Sequence, residues 1–207
     1  MAVNLDGTDA IDRALSLLAV TLESRGVAPV ELVVIGGAAL NVLGVCIRPT
    51  KDVDVLAVLD DRVGHGELVL VKQKPLPEPI QAAAQTVADA LGLDPGWLNA
   101  GPADLLDCGL PEGFEGRLTP RRYGAHLTIH LPARSDLICL KVYAAADMGV
   151  GRHTEDLRAL DPTCGELLSG VRWARTQDPS EGFLDMLQSM LRYFGCDDAG
   201  ETLRHER

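Results

Sequence analysis

The sequence predicts an α+β fold, in which a small mixed sheet is flanked by helices and a helical part follows. Short β-branched and apolar runs typical of strands occur only before residue 132. Beyond that point the chain shows helical spacing alone, and its overall hydrophobic content of 46% is enough for a substantial core. We therefore predict an α/β domain over residues 1–131 and a helical C-terminal subdomain over residues 132–207, packed on it.

The first part of the chain alternates helices and strands. Apolar residues recur at helical spacing over residues 9–25, and Gly26 ends that run. Residues 31–35 form a short β-branched run that stops at Gly36-Gly37. The next predicted elements are a helix over 38–43, a strand over 52–59, a turn over 60–66, a strand over 67–71 and a helix over 80–91 closed by Gly92.

The second part is predicted to become helical after one further strand. Glycine and proline recur through residues 94–116, where only 103–107 favours a short helix. Residues 127–131 alternate as a strand does. The remaining predicted elements are helices over 136–148, over 152–160 with 162–175, and over 181–194.

Composition restricts the class of protein. The 207 residues contain no apolar run near the length of a bilayer span, and the first residues lack the charged start and apolar block of a signal peptide. We therefore predict a cytoplasmic protein with no membrane partner. Five scattered cysteines without a CxxC pair favour small buried thiols over a disulfide framework or a zinc site.

The charge is strongly acidic with one basic segment. A formal net charge of -11 argues against a general nucleic-acid coat, because such binding needs Lys and Arg to neutralise phosphates. Within residues 117–141 basic residues exceed acidic ones. This local excess fits either a solvated surface or a face toward a phosphate ligand. Its members are Arg117, Arg121, Arg122, Arg134 and Lys141.

Residues 33–56 carry the strongest functional signal. Gly36-Gly37 follows a predicted strand and precedes a helix, a position where the glycine backbone approaches a phosphate closely and directs N-H groups at its charge. Asp52 and Asp54 lie two residues apart on the next predicted strand, so their side chains share one face. Two carboxylates on one face suit a divalent cation such as Mg²⁺, which binds oxygen ligands together with substrate phosphates.

Each half of this pattern also has an ordinary structural interpretation. A glycine pair is often a tight packing turn, and a D-x-D is often a solvated strand end. The combined spacing, with Arg48 and Lys51 supplying cations between the two halves, favours a nucleotide site.

The residues that form this pattern carry a family resemblance. GG followed by R-x-T-x-D-x-D resembles the polymerase-beta-type nucleotidyltransferase superfamily. More narrowly, the chain is similar to minimal bacterial nucleotidyltransferases of the AbiEii and MenT toxin type and their uncharacterised relatives. The later segments DLICLKVYAAAD and RHTEDLRAL are similar to the second conserved block of those proteins. The residues of the first motif are Gly36, Gly37, Arg48, Thr50, Asp52 and Asp54.

The resemblance implies Mg²⁺-dependent, or Mn²⁺-dependent, transfer of a nucleoside monophosphate from an NTP to a hydroxyl, with release of pyrophosphate. Asp52 and Asp54 would bind the metal. Lys141 corresponds to the family's helix lysine; it shares a helical face with apolar residues, and a snorkelling lysine at the edge of that face is the alternative. The triphosphate would be held by Gly36, Gly37, Arg48, Thr50 and Lys51.

The toxin type implies tRNA or a protein hydroxyl as acceptor, and an antitoxin-like regulator as partner. Where the toxin-like relatives often carry a lysine before the later aspartate, Glu155 precedes Asp156, and this weakens the inference of tRNA-end chemistry. An aminoglycoside-type nucleotidyltransferase is one alternative, because an acidic cleft suits a cationic acceptor. A catalytically silent nucleotide-binding or interaction protein of the same fold is another.

Two departures from the superfamily pattern concern the site itself. Gly37 stands where many members have a serine, which leaves only backbone contacts at that position. The superfamily's third carboxylate usually lies on a later strand, but the predicted strand LTIHL carries His130 instead, and Asp136 begins the next helix. His130 and Asp136 are therefore the candidates for a third acid or base.

Overall fold

The computed structural model describes residues 3–59 and 69–197. The chain divides into two compact units, Met1–Ala133 and Arg134–Arg207. The first unit contains the sheets. In chain order its elements are β1 (Leu5–Asp6), α1 (Gly7–Ser24), β2 (Val30–Ile35), α2 (Gly36–Val42), β3 (Pro49–Thr50), β4 (Val53–Leu59), β5 (Leu70–Val71), α3 (Glu78–Leu91), β6 (Leu98–Asn99), α4 (Leu105–Cys108), β7 (Thr119–Tyr123) and β8 (Leu127–Leu131).

The main sheet is mixed, as predicted. Its strands follow the order β5-β4-β2-β8-β7, with β6 beside β4. The central strand β2 pairs antiparallel with β4 and parallel with β8. β1 and β3 form a separate antiparallel pair. The first halves of β2 and β8 therefore run side by side, and β2 ends next to the beginning of β4.

Burial follows the sequence pattern that predicted these elements. In β2, Leu32 and Val33 are completely buried, as expected for a central strand covered on both faces. α1 turns one apolar face inward, because Ile11, Leu15 and Leu22 recur at helical spacing and are fully buried. α3 ends at Gly92, which adopts the left-handed conformation expected of a helix C-cap.

Several predicted boundaries were wrong or incomplete. α2 begins at Gly36 rather than at residue 38, because the glycine pair forms its first turn. β7, with sequence TPRRY, was missed, since proline and arginines are untypical of a central strand but common at a sheet edge. The predicted turn over 60–66 lies outside the described residues, and of the strand predicted over 67–71 the structure describes Leu70–Val71.

The second unit contains α5 (Arg134–Met148), α6 (Arg152–Leu160), α7 (Cys164–Gln177) and α8 (Glu181–Tyr193). α5 packs against each of the other three helices. Thr163 caps α7 by accepting a hydrogen bond from the Glu166 N-H, and the Glu166 side chain returns a bond to the Thr163 N-H. These elements, with the mixed sheet, confirm the predicted α+β class.

The prediction that the cysteines are small buried thiols was wrong for two of the five, which form a disulfide. Cys164 and Cys196 are bonded, with their Cα atoms 5.5 Å apart. The pairing spans 32 residues and depends on the packing of α7 against α8, which cysteine spacing along the chain does not reveal. Cys46, Cys108 and Cys139 take no part in a disulfide; Cys108 is exposed and the other two are half-buried, so the prediction of buried thiols was wrong for them as well. Across residues 3–59 and 69–197, no helix is both long enough and apolar enough to cross a membrane.

Candidate functional site

The glycine turn and the aspartate pair lie at the same edge of the main sheet. In the β2-β4 register, Ile35 at the end of β2 is opposite Asp54. The next residue, Gly36, has a φ of +75°. A Cβ atom at this position would lie 3.3 Å from the carboxyl carbon of Asp54 and closer still to its Oδ2 atom. Gly36 is therefore required both by its backbone conformation and by the close approach of the Asp54 carboxylate.

A guanidinium group and a hydroxyl group lie over the second glycine. A Cβ atom on Gly37 would be 3.0 Å from Nη2 of Arg48 and 3.1 Å from Oγ1 of Thr50. The space that a side chain would take at this position is therefore occupied by two hydrogen-bonding groups from β3 and the loop before it. A guanidinium, a hydroxyl and a glycine turn close together suit a phosphate group.

Asn41 holds this arrangement together, and the sequence analysis missed it. Its side chain is fully buried, and its Nδ2 atom donates to the carbonyl oxygens of Gly37 (2.9 Å) and Arg48 (3.1 Å). Its Oδ1 atom accepts from the Arg48 N-H at 3.1 Å. The two bonds to Arg48 tie α2 to the loop before β3, and the bond to Gly37 lies within α2. In the sequence, Asn41 is an ordinary residue of a short helix, because Arg48 lies on a loop whose return to the helix only the fold reveals.

Asp52 immediately precedes β4, and Asp54 is the second residue of that strand. Both aspartates are half-buried, whereas Val53 and Val55 are buried, so the alternation expected of a strand is present. The Thr50 hydroxyl lies 3.2 Å from the carbonyl oxygen of Asp52 and 3.5 Å from its carboxylate. A cavity of about 400 Å³ adjoins Asp52, and it is lined by Val3, Asn4, Lys51, Asp52, Asp94 and Gly96.

Asp54 also contacts Asn99, a second residue that the sequence analysis missed. β6 pairs parallel with β4, and the register places Asn99 beside Asp54. The Nδ2 atom of Asn99 lies 3.3 Å from Oδ1 of Asp54 and donates to it. β6 contains only two residues, which is too short to give a periodic signal, and it lies in the glycine- and proline-rich stretch that the sequence left undecided.

The donor set at this edge fits a hard divalent cation. Asp52 and Asp54 offer carboxylate oxygens from one face of β4, and Mg²⁺ commonly binds through one or two carboxylates, completing its shell with water and phosphate oxygens. Within the described parts of the chain there is no group of three or more His, Cys, Asp or Glu side chains placed to hold a metal. Asp52 and Asp54 therefore suit a cation that also binds the oxygens of a phosphate ligand. The described residues do not form a metal site closed by protein ligands alone.

The two candidates for a third acid or base are both buried. His130 is buried in β8, and its Nε2 atom lies 2.5 Å from a carboxylate oxygen of Glu31. Glu31 is near the beginning of β2, at the opposite end of that strand from Gly36. Asp136 is buried in the first turn of α5 and belongs to the helical unit. The structure therefore does not bring His130 to the aspartate pair.

Lys141 lies in the helical unit, in the middle of α5. Its side chain is 7% exposed, and its Nζ atom lies 2.6 Å from Oδ2 of Asp156, whose side chain is 1% exposed. Lys141 therefore forms a buried ion pair with α6 and does not snorkel to solvent. The segments that carried the second part of the family resemblance meet in this contact.

The basic segment does not form a patch of unpaired charge. Arg121 pairs with Asp12 of α1, and Tyr123 donates to the same carboxylate at 2.5 Å. Burial, followed by that hydrogen bond, raises the pKa of Tyr123. Arg134 pairs with Glu166 in the helical unit. With the Lys141 pair, three of the five basic residues of this segment have carboxylate partners.

Comparison with known families identifies the chain. The family model described as "Nucleotidyltransferase of unknown function (DUF6036)" matches residues 13–158, which is more than half of the protein. The chain therefore belongs to this nucleotidyltransferase family, and the predicted resemblance to nucleotidyltransferases is confirmed. The match covers the glycine turn, the aspartate pair, Lys141 and Asp156. Searches of curated proteins and of solved structures give no match.

Proposed function

We propose that this protein transfers a nucleoside monophosphate from an NTP to a hydroxyl acceptor in a Mg²⁺-dependent reaction. One observation carries the proposal: Gly36, which has no side chain, lies directly against the carboxylate of Asp54 at the edge of the main sheet. A glycine turn and a carboxylate suited to a cation are thus adjacent. Because the chain belongs to a nucleotidyltransferase family, we interpret this pair as the nucleotide and metal site.

The triphosphate would bind at the glycine turn. Arg48 offers a planar, permanently charged group beside Gly37, and a guanidinium forms paired hydrogen bonds to phosphate oxygens. The Thr50 hydroxyl, which donates to the carbonyl oxygen of Asp52, is a further polar group at the same place. Lys51 is exposed beside Asp52 and would contribute positive charge at the mouth of the adjoining cavity. Together these groups would orient the triphosphate and offset its charge.

Asp52 and Asp54 would hold the cation, with Mg²⁺ as the ordinary ion and Mn²⁺ as a substitute. A bound divalent cation would offset the charge that develops on reacting phosphate oxygens. The chain's own residues would fix the geometry: the Thr50 hydroxyl lies beside Asp52, and the Asn99 amide lies beside Asp54. Lys141 remains a proposed catalytic residue on the strength of the family resemblance alone.

The narrower proposal is a toxin of a toxin-antitoxin pair that modifies tRNA or a protein hydroxyl and is controlled by an antitoxin-like regulator. The similarity of the R-x-T-x-D-x-D motif and of the Lys141 segment to the AbiEii and MenT types supports it. An adjacent gene for a small DNA-binding regulator would add support. The net charge of -11 favours a cationic small molecule, such as an aminoglycoside, as the competing acceptor.

A catalytically silent nucleotide-binding protein is the second candidate function. The observation in its favour is that, among the described residues, no group of three or more His, Cys, Asp or Glu side chains is placed to hold a metal. If the superfamily's third carboxylate has no substitute in this chain, the proton of an acceptor hydroxyl has no base to take it and transfer would not occur.

The decisive experiment combines transfer with binding. The protein is incubated with Mg²⁺, each of the four α-labelled NTPs in turn, and total tRNA, a protein extract or an aminoglycoside. We expect label on tRNA or protein, and its loss in Asp52→Asn and Asp54→Asn. Asp89→Asn is the matched control, because it removes the same charge from an exposed position whose partner is Gln85 of its own helix.

Each outcome separates the candidates. NTP binding by calorimetry without label on any acceptor would support the silent protein. Label on the aminoglycoside alone would replace the toxin proposal with antibiotic modification. No NTP binding, in the presence or absence of Mg²⁺, would overturn the proposed function altogether.

A further inference from the structure

Asn99 is placed to control the carboxylate of Asp54. The parallel pairing of β6 with β4 puts the two side chains next to each other, and Nδ2 of Asn99 donates to Oδ1 of Asp54 at 3.3 Å. The other oxygen of Asp54, Oδ2, is the one that faces the backbone of Gly36. The two oxygens of one carboxylate thus point to different neighbours, an amide on one side and the glycine turn on the other.

The orientation of the Asn99 amide is fixed by the turn that follows it. The Gly101 N-H donates to Oδ1 of Asn99 at 2.8 Å. Because the oxygen of the amide accepts from Gly101, the nitrogen must face Asp54, and the amide cannot be reversed without losing both bonds. A Cβ atom on Gly101 would lie 2.9 Å from the Asn99 oxygen, so this contact requires glycine.

The turn itself is held in place from its outer side. Nζ of Lys74 lies 3.1 Å from the carbonyl oxygen of Gly101 and pairs with the carboxylate of Asp104. A chain of contacts therefore runs from Lys74 through Gly101 and Asn99 to Asp54. Its outer part borders a cavity of about 550 Å³, in which Lys74, Gln85, Asn99 and Gly101 are among the lining residues.

We infer that Asn99 is a positioning residue, whose amide holds one oxygen of Asp54 so that the other faces the glycine turn. This inference rests on the proposed function, since the turn is where the cation and the triphosphate would bind. A neutral amide orients the carboxylate without adding a like charge beside it, which an aspartate at the same position would do. Carboxylates that bind a metal are commonly held by a hydrogen bond of this kind.

The test measures cation binding separately from turnover. Mn²⁺ is titrated by electron paramagnetic resonance into the full chain in the presence of a non-hydrolysable NTP analogue. Asn99→Leu removes the donor at nearly constant volume, and we expect Mn²⁺ to bind about tenfold more weakly. Gly101→Ala, which crowds the Asn99 oxygen without touching Asp54, should weaken binding in the same direction by a smaller factor. Affinity for the analogue without metal should be unchanged.

A matched control and a discriminating variant complete the test. Gln85→Leu makes the same chemical change at the rim of the same cavity, where the side chain contacts only Asp89 among the bonds described for it, and it should bind Mn²⁺ as the wild type does. Asn99→Asp keeps the acceptor for the Gly101 N-H and loses the donor to Asp54. We expect its turnover not to exceed that of Asn99→Leu.

The outcomes distinguish this inference from the function on which it rests. Wild-type affinity in Asn99→Leu, with a thermal unfolding midpoint close to that of the wild type, would overturn the role of Asn99 and leave the proposed function standing. Turnover in Asn99→Asp above the wild-type value would also overturn it, because the position would then need a carboxylate. A wild-type protein that binds neither Mn²⁺ nor the analogue would remove the proposed function, and this inference with it.

Discussion

The two units of this protein hold their functional candidates in contrasting ways. In the first unit, Asp52 and Asp54 are half-buried at the end of the sheet, and the uncharged side chains of Thr50 and Asn99 contact them. In the second unit, Lys141 and Asp156 are almost completely buried and contact each other at 2.6 Å. The same sequence resemblance selected residues in both regions, but their surroundings differ.

The contrast separates carboxylates that are available to a ligand from a buried ion pair that contributes to packing. A carboxylate that is partly exposed and oriented by neutral neighbours keeps its charge available to an incoming cation. A buried ion pair has already lost its hydration, so each member depends on the other. We therefore expect substitutions at the sheet edge to affect binding first, and substitutions at Lys141 to affect stability first.

The largest expected effect is on the buried pair. Lys141→Met should destabilise the protein by about 3–5 kcal/mol, because it leaves the Asp156 carboxylate buried without its cation. Urea unfolding followed by circular dichroism would measure this change. The double variant Lys141→Met with Asp156→Leu removes both charges and should recover most of the loss. A single variant as stable as the wild type would show that the pair is not important for folding.

The next largest loss of stability is expected from a substitution at the glycine turn. Gly36→Ala should cost about 1–3 kcal/mol for a left-handed backbone at a residue with a Cβ atom, and more for the collision with Asp54. Gly44→Ala is the matched control, since Gly44 has a φ of +70° and nothing within 4 Å of its added Cβ. Thermal unfolding of both variants would isolate the Asp54 contact. Equal losses would show that the carboxylate can move away freely.

A third substitution tests the hydrogen bonds of Asn41 beside the glycine turn. Asn41→Leu removes three hydrogen bonds and should destabilise the first unit by about 2 kcal/mol, because the partly buried backbone groups of Gly37 and Arg48 lose their partner. NTP affinity measured by calorimetry should fall as well, since Arg48 would no longer be held over Gly37. Unchanged NTP affinity in a correctly folded variant would mean that the position of Arg48 does not depend on its hydrogen bonds to Asn41.

The sequence was sufficient to predict the parts of the fold and site that depend on local pattern. Strand β8 matched its prediction, and the glycine turn and the aspartate pair came together because they flank neighbouring strands. The pattern of exposure along Asp52 to Val55 followed from the period of a strand. These features need only a few consecutive residues to be recognised.

The parts that could not be predicted depend on contacts across long stretches of chain. Asn99 reaches Asp54 across 45 residues, through a strand of two residues. Arg121 finds Asp12 across 109 residues, so an apparent basic patch is partly neutralised by an acid of α1. A single sequence without its fold carries no signal for such pairings, because neither partner has an unusual neighbour.

The smallest expected effect comes from an exposed ion pair of the helical unit, which completes the comparison with Lys141. The Arg134 guanidinium, together with the Thr163 N-H, lowers the pKa of Glu166 to about 2 from an ordinary value of 4.5. Because the folded-state pKa is lowered, the stabilisation is present above pH 4.5 and is lost as the pH falls toward 2. Glu166→Gln keeps a capping side chain and should cost less than about 1 kcal/mol at pH 7, since solvent screens the pair. Urea unfolding at pH 7 and at pH 2.5 should show this difference shrinking at the lower pH. A loss at pH 7 as large as that of Lys141→Met would contradict the view that burial, rather than pairing itself, sets how strongly these charges support the fold.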